Sequence, residues 1–449
     1  MRKNLTHSGA EQNINFWFGS AIHFAMEDFH GWNKYGDPRK AFYAYYKSFK
    51  EDDLPLGAEA CYELGMGMLS YYLTWYPRYN SATQFETVWL DANGDQVKPF
   101  TPGASPCVEQ SFMIPLNVSI IVDIETDQNY AQYVPESENK QGMYSNGSLI
   151  TATKGEYKFK EDGTAEDPEI EYVWLDTQGN ARKVQIVPLF YHGTMDRIVC
   201  DKFGRWWILD YKTAKGADTN KLDTDDQISA YIWAASMLFK KPIYGFIYLQ
   251  LTKDMVQDPR RLKNGELSVD KKQKTTYSLL KMEILRDYGS VDRAPNKIIQ
   301  FLNDLASRET PEGDRFIRWD FVRRNDEQLI NTAKCIYGEL AMMLNPDLFC
   351  YPNPTRDCIW DCPVRDACIA QDRGDKDTVE TFFKDWEERP RNEDGNIDEW
   401  RKSLPSPEEI AKIPLEEILD AAQCMTIEFD SNSEESGFKF LYDGDDDRA

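Results

Sequence analysis

The sequence predicts an α/β fold: a mixed central sheet flanked by helices, with a helical region in front of it and a Cys-rich segment behind it. Three observations carry this. The first 80 residues place apolar side chains at three- and four-residue spacing. Three runs rich in Val, Ile and aromatic residues follow, each of strand character. An amphipathic helical pattern then separates the third run from a fourth.

The elements can be taken in order. INFWFGSAIHFAMEDFHGW and DPRKAFYAYYKSF are helical, and GAEACYELGMGMLSYYLTWY continues the pattern after Pro55. FETVWLDANGD, from Phe85, and IEYVWLDTQGN, from Ile170, each read as a strand running into an Asp-x-x-Gly turn. Residues 124–169 are polar and weakly periodic, the signature of an insertion or mobile loop. Strands are expected at 108–116 (VEQSFMIPL), 183–199 and 204–213 (GRWWILDYKT). A helix over 223–241 is expected to start at Asp223 or Thr224 as N-cap, and IYGFIYLQLT (243–252) is the fourth strand. A basic connector, 260–274, leads to a strand or hairpin around TYSLLKMEIL, followed by helices near 294–307 and 325–344. The expected organisation is a helical region at 1–80, a core at 81–255, a connector and Cys-rich segment at 256–372, and an acidic, solvated and partly ordered tail at 373–449.

Composition bounds the function. The 41% hydrophobic and 13% aromatic content of 449 residues supports a sizeable core. There is no apolar run of about 18 residues. MRKNLTHSGAEQNINF lacks the apolar centre of a signal peptide. A cytoplasmic protein without a membrane partner is the expectation. Nine cysteines, an odd count without a secretory signal, argue against a disulfide framework. The net charge of −24 disfavours a phosphate-bearing partner, but residues 181–300 hold 21 Lys and Arg against 14 Asp and Glu. Local field, not the total, steers ligands.

The stretch WILDYKTA narrows the reading. Asp210 and Lys212 are two apart in a strand, so both stand on one face where a buried strand ends. Alone, that is a surface ion pair. Asp196, fourteen residues earlier, ends the preceding strand of the same hairpin, so two carboxylates can meet at one sheet edge. Converging carboxylates are a hard-oxygen site suited to Mg²⁺ or Mn²⁺, and a neighbouring lysine can stabilise charge on a phosphate or an attacking water. Gln227 and Tyr231, four apart, share a helix face, and His23 lies on an otherwise apolar one. Singly, each is explained by packing.

Together, His23, Gly193-Thr194-Met195-Asp196, Asp210-Tyr211-Lys212 and Gln227-Ile228-Ser229-Ala230-Tyr231 resemble the RecB-type branch of the PD-(D/E)XK nuclease superfamily. The resemblance runs over residues 15–252 and resumes at 315–370, where FIRWDFVRR and YPNPTRDCIWDCPVRDAC are similar to phage-type members. It implies a restriction-endonuclease-like core and a metal-dependent DNA nuclease, an exonuclease of recombination, repair or phage DNA metabolism. A catalytically silent DNA-binding scaffold is the alternative. By resemblance, Asp196, Asp210, His23 and the Tyr211 carbonyl would hold Mg²⁺ or Mn²⁺, with Glu109 a further candidate. Lys212 would act on the attacking water, and Gln227 and Tyr231 would support the site or the DNA. No Walker-type loop is present, so unwinding would need a separate helicase or recombinase.

Cys350, Cys358, Cys362 and Cys368 crowd one segment. Buried thiols or a zinc site are open readings. The resemblance implies a [4Fe–4S] cluster, as in AddB-type and CRISPR-adaptation nucleases. No cysteine precedes His23, so either Cys350 or Cys61 would substitute as the fourth ligand, or the N-terminal segment that carries it is absent from this chain.

Overall fold

The computed structural model describes residues 5–7, 14–33, 36–50, 54–81, 84–125, 129–133, 143–144, 147–154, 169–216, 222–344, 358, 362, 364–383, 386–388, 404–416 and 418. Three helices open it: α1 (Ile14–Glu27), α2 (Pro38–Lys47) and α3 (Ala58–Asn80). Each arises from local chemistry. Trp17, Phe18, Ala21, Ile22, Ala25 and Met26 recur at helical spacing and form the buried stripe of α1. Asp37 caps α2 by accepting from the Arg39 N–H, and Pro38 follows at the first turn. A π-helical turn, Asp28–Trp32, continues α1 and carries buried Asp28 and His30.

The core strands are β1 (Val108–Asp123), β2 (Ala181–Cys200), β3 (Trp206–Ala214), β4 (Ile243–Thr252) and β5 (Ile317–Val322). β1 pairs antiparallel with β2, and β2 with β3. β3 and β4 are parallel, from Trp206 opposite Ile243 to Ala214 opposite Thr252, and β5 closes the edge antiparallel to β4. The parallel pair requires a crossover, which α4 (Asp226–Phe239) supplies. The sheet is therefore mixed, as expected.

Side-chain alternation divides the core in two. Trp207, Leu209 and Tyr211 of β3 pack with α1, α2 and α3, while Trp206 and Ile208 pack with Ile228, Ile232 and Ala235 of α4. Helices thus cover both faces, and β3 is buried on both sides.

Four expectations need correction. TYSLLKMEIL is not a strand or hairpin but helix α5 (Tyr277–Tyr288). Thr276 caps it, Leu280 and Ile284 turn inward four apart, and Gly289, at φ +78°, ends it. The cap of α4 is Asp225, whose side chain accepts from the Ile228 N–H at 3.1 Å; a short 3₁₀ turn over Leu222–Thr224 occupies the two expected cap positions. The described part of 124–169 is not structureless. Asn129–Tyr133, Met143–Tyr144 and Gly147–Lys154 are strands that, with Glu169–Asp176, widen the same sheet. Finally, the acidic C-terminal segment is not solvated throughout, because Ile410 and Ile418 are buried among α1, α2 and α3.

The remaining helices are α6 (Asn296–Ala306) and α7 (Asp326–Met343), close to their expected spans, then α8 (Arg365–Asp372), α9 (Lys376–Phe383) and α10 (Pro407–Ala411). Much of the positive charge of the connector is consumed internally: Arg261 pairs with Glu283 and Asp287, and Lys274 with Asp254.

Candidate metal centre and active site

The candidate site forms where α1 crosses the sheet beside β1, β2 and β3. α1 brings His23 down so that its Nδ1 lies 3.4 Å from Asp196 Oδ1 on β2 and 3.8 Å from Glu109 Oε1 on β1. Ligand atoms of these three residues lie within 4.8 Å of one another. Glu109 gets there through a left-handed backbone, φ +45°, in the register gap between Val108 opposite Arg197 and Gln110 opposite Met195. A non-glycine residue rarely holds that conformation.

Asp196 is fixed from the other side, since its Oδ2 accepts the Tyr211 N–H at 2.7 Å. Tyr211 thus meets the cluster through its backbone N–H. Asp210 and Lys212 share a face of β3, as alternation requires. The Lys212 ammonium lies 3.0 Å from Asp210 Oδ2 and 3.2 Å from Oδ1, and donates its hydrogen bond to Oδ1. Asp210 is 2% exposed, and its Oδ2 is met by the Lys212 charge rather than by a directed hydrogen bond.

Electrostatics reflect this crowding. Burial, and then the charge of Asp196, push Asp210 up to about 7 although Lys212 opposes them. Burial acts on Asp196 in the same sense, but His23, the Tyr211 N–H and Lys212 outweigh it and hold Asp196 below the usual carboxylate range. Burial would lower His23, yet Asp196 and Glu109 raise it well above an ordinary histidine. Two carboxylates and an imidazole whose ligand atoms lie within 4.8 Å of one another, with the Asp210–Lys212 pair beside them, fit a hard divalent cation.

Gln227 Nε2 donates to the Tyr231 hydroxyl at 3.2 Å, and the Tyr231 ring meets Phe112 edge-on at 6.0 Å. Burial, and also the charges of Asp210 and Asp196, raise the Tyr231 hydroxyl, so the pair stands at the margin of the cluster. The structure also contains a layer that sequence reasoning missed. Arg197, 2% exposed, points to the opposite face from Asp196 and donates to Thr87 Oγ1 at 2.9 Å and to the Tyr211 hydroxyl at 3.3 Å. Thr87 donates to the His30 carbonyl, and His30 Nε2 is 2.8 Å from the Tyr72 hydroxyl. Burial, then Arg197, hold His30 well below the usual histidine range, so it is neutral. The available signal was the arginine directly after Asp196, next to the buried run Ile198-Val199.

Cys358, Cys362 and Cys368 are half-buried, and Cys350 lies outside the described residues, as does the rest of the segment around it. The three described sulfurs are not gathered as the His23 group is. A mononuclear zinc site, with Zn–S bonds of about 2.3 Å, would bring them that close.

A sequence model of the PD-(D/E)XK nuclease superfamily matches residues 150–369. The match includes Asp196, Asp210, Lys212, Gln227, Tyr231 and the cysteine segment, and begins after His23 and Glu109. No curated protein matches the chain. The mixed sheet with helices on both faces is a PD-(D/E)XK core. Members of this superfamily are usually nucleases that use divalent metals.

Proposed function

We propose that the protein is a divalent-metal-dependent deoxyribonuclease, an exonuclease of recombination, repair or phage DNA metabolism that works beside a separate helicase or recombinase. The observation that carries the proposal is the approach of His23, Glu109 and Asp196 to within 4.8 Å, next to the buried Asp210–Lys212 pair. His23, Glu109, Asp196 and Asp210 would hold Mg²⁺ or Mn²⁺. When bound, the ion would supply Lewis-acid polarisation of the scissile phosphate and a lowered pKa for the attacking water. Lys212 holds a fixed positive charge beside the reacting phosphate, where it offsets negative charge developing in the transition state. Tyr231, held by Gln227, supports the DNA strand at the margin. Arg197 and Tyr211 brace β2 against β3 from below, keeping Asp196 and Asp210 in register.

Cleavage of single- and double-stranded DNA with Mg²⁺ or Mn²⁺, stopped by a chelator, tests this. Asp210→Asn is expected to abolish cleavage and weaken metal binding. Lys212→Ala is expected to lower cleavage by about 10²–10³-fold while sparing the metal, a loss of the size seen when one transition-state charge partner is removed. Full activity in chelator or in Asp210→Asn would sink the assignment. DNA binding without cleavage would favour a silent scaffold.

For the cysteine segment we propose a [4Fe–4S] cluster on Cys350, Cys358, Cys362 and Cys368, supported by their spacing. Protein purified without oxygen should be brown, and Cys362→Ala should bleach it. Colourless protein holding stoichiometric zinc would reject the cluster.

A further inference from the structure

The two ends of the parallel pair β3–β4 differ in character. Asp210 and Lys212 lie toward the C-terminal end. Four residues back along β3, roughly 13 Å at strand rise, basic and aromatic side chains interleave. The Tyr244 ring has the guanidinium carbon of Arg205 at 4.1 Å from its centroid and that of Arg323 at 4.0 Å. Arg205 also lies 4.7 Å from the Phe203 ring, Lys202 Nζ is 5.4 Å from that ring, and Lys241 Nζ is 4.1 Å from the Trp206 ring. Phe203 is 69% exposed at the tip of the β2–β3 turn.

The charge of Arg323 and Lys241 is available to a ligand. The carboxylate bonded within the patch, Asp201, is buried and already accepts from the Phe203 and Arg205 N–H groups, Arg205 Nε and the Trp207 indole. It therefore holds Arg205 in place. Arg323 and Lys241 make no ion pair among the described residues. Stacking on Tyr244 orients the Arg323 guanidinium without neutralising it. The connector cations, by contrast, are largely spent on protein carboxylates.

We propose that this end of the sheet is a second nucleic-acid contact, taking a single-stranded stretch. One base stacks on Phe203, and the flanking phosphates lie against Arg323 and Lys241. Exposed aromatic faces among cations are the pattern that single strands recognise. A duplex keeps its bases stacked on one another and has no free face for Phe203. Naming the polymer rests on the nuclease reading.

The test uses full-length protein in chelator and fluorescently labelled dT20, with anisotropy as the readout. Phe203→Ala and Arg323→Ala should each weaken dT20 about tenfold, in line with the loss of one stacked base or one phosphate contact. Arg323→Ala should also flatten the salt dependence by about 0.7 in log–log slope, the share of one phosphate on a single strand. Arg323→Lys should restore most of that slope. In Mg²⁺ or Mn²⁺, cleavage of a p-nitrophenyl thymidine phosphodiester, too small to reach the patch, should be unchanged in both alanine variants. Wild-type affinity for dT20 in folded Phe203→Ala and Arg323→Ala would overturn the proposal. So would displacement of dT20 by polyglutamate as readily as by unlabelled dT20, which would point to an acidic protein partner. Wild-type protein that binds dT20 through these residues but cleaves nothing would sink the nuclease reading and leave this surface standing.

Discussion

Two carboxylates that share a buried site repel, and one of them keeps its proton until a cation arrives. Asp210, pushed up to about 7 beside Asp196, is that one, and His23 holds its own proton well past the usual range. A divalent ion needs Asp210 ionised and His23 neutral, so binding expels protons and tightens as pH rises. Calorimetry with Mn²⁺ at pH 6 and pH 8 should show stronger binding at pH 8, with proton release detectable across buffers of different ionisation enthalpy. Affinity independent of pH would contradict this ligand set. Asp28 makes a separate case. Burial pushes it up to about 6, against the pull of Asn33 and Lys40. Its unfolded value is about 3.9, so the unfolded chain sheds the proton first and stability falls as pH climbs from about 4 to 6. Asp28→Asn keeps an acceptor for Asn33 Nδ2 and should gain about 2–3 kcal/mol at pH 7.5 but little at pH 4. Urea melts at the two pH values check this. Asp196, Asp210 and Lys212 were legible because strand alternation fixes which face they share. Arg197 and His30 were not, since their role depends on what lies across the sheet, which no local spacing encodes.

At the scale of elements, glycines report on packing with opposite signs. Gly65 of α3 faces α2, and an added Cβ would sit 2.2 Å from Phe42 Cζ. Gly65→Ala should therefore cost about 1–3 kcal/mol through overpacking. Gly338 of α7 has nothing within 4 Å of such a Cβ, so Gly338→Ala should stabilise by about 0.5–1 kcal/mol through helix propensity. Thermal melts of the two variants should move in opposite directions. Turn chemistry was the most readable feature. Asp91, Asp176 and Asp201 each accept the N–H groups two and four residues on, and Gly94, Gly179 and Gly204 take the positive φ these turns need. α5 was misread because Tyr, Leu and Ile suit strands as well as helices; the Thr276 cap and Gly289 decide the matter. β5 went unassigned although Ile317-Arg318-Trp319-Asp320-Phe321 alternates apolar and polar side chains, because six residues are too short a run to stand out.

For the whole molecule, the α/β order and mixed sheet followed from the sequence pattern, whereas the reach of the core did not. One apolar cluster holds Trp17 at one end of the chain and Ile418 near the other, and Leu5–His7 pairs with Trp386–Glu388. Acidic composition hid this, because two isoleucines among carboxylates give no visible stripe. A chain ending at residue 403 loses Ile410 and Ile418 and should fall by about 2–5 kcal/mol, the scale of a deleted core side chain. A melting temperature equal to that of the full-length chain would contradict the packing. The same closure sets a clock. At about 5–20 residues per second, some 20–80 s separate the emergence of Trp17 from that of Ile418. Throughout that interval the cluster lacks its last members, Ile410 and Ile418, and His23 rides on a helix whose core is unfinished. Nascent chains should therefore engage chaperones early and stay silent toward DNA until residue 418 is made.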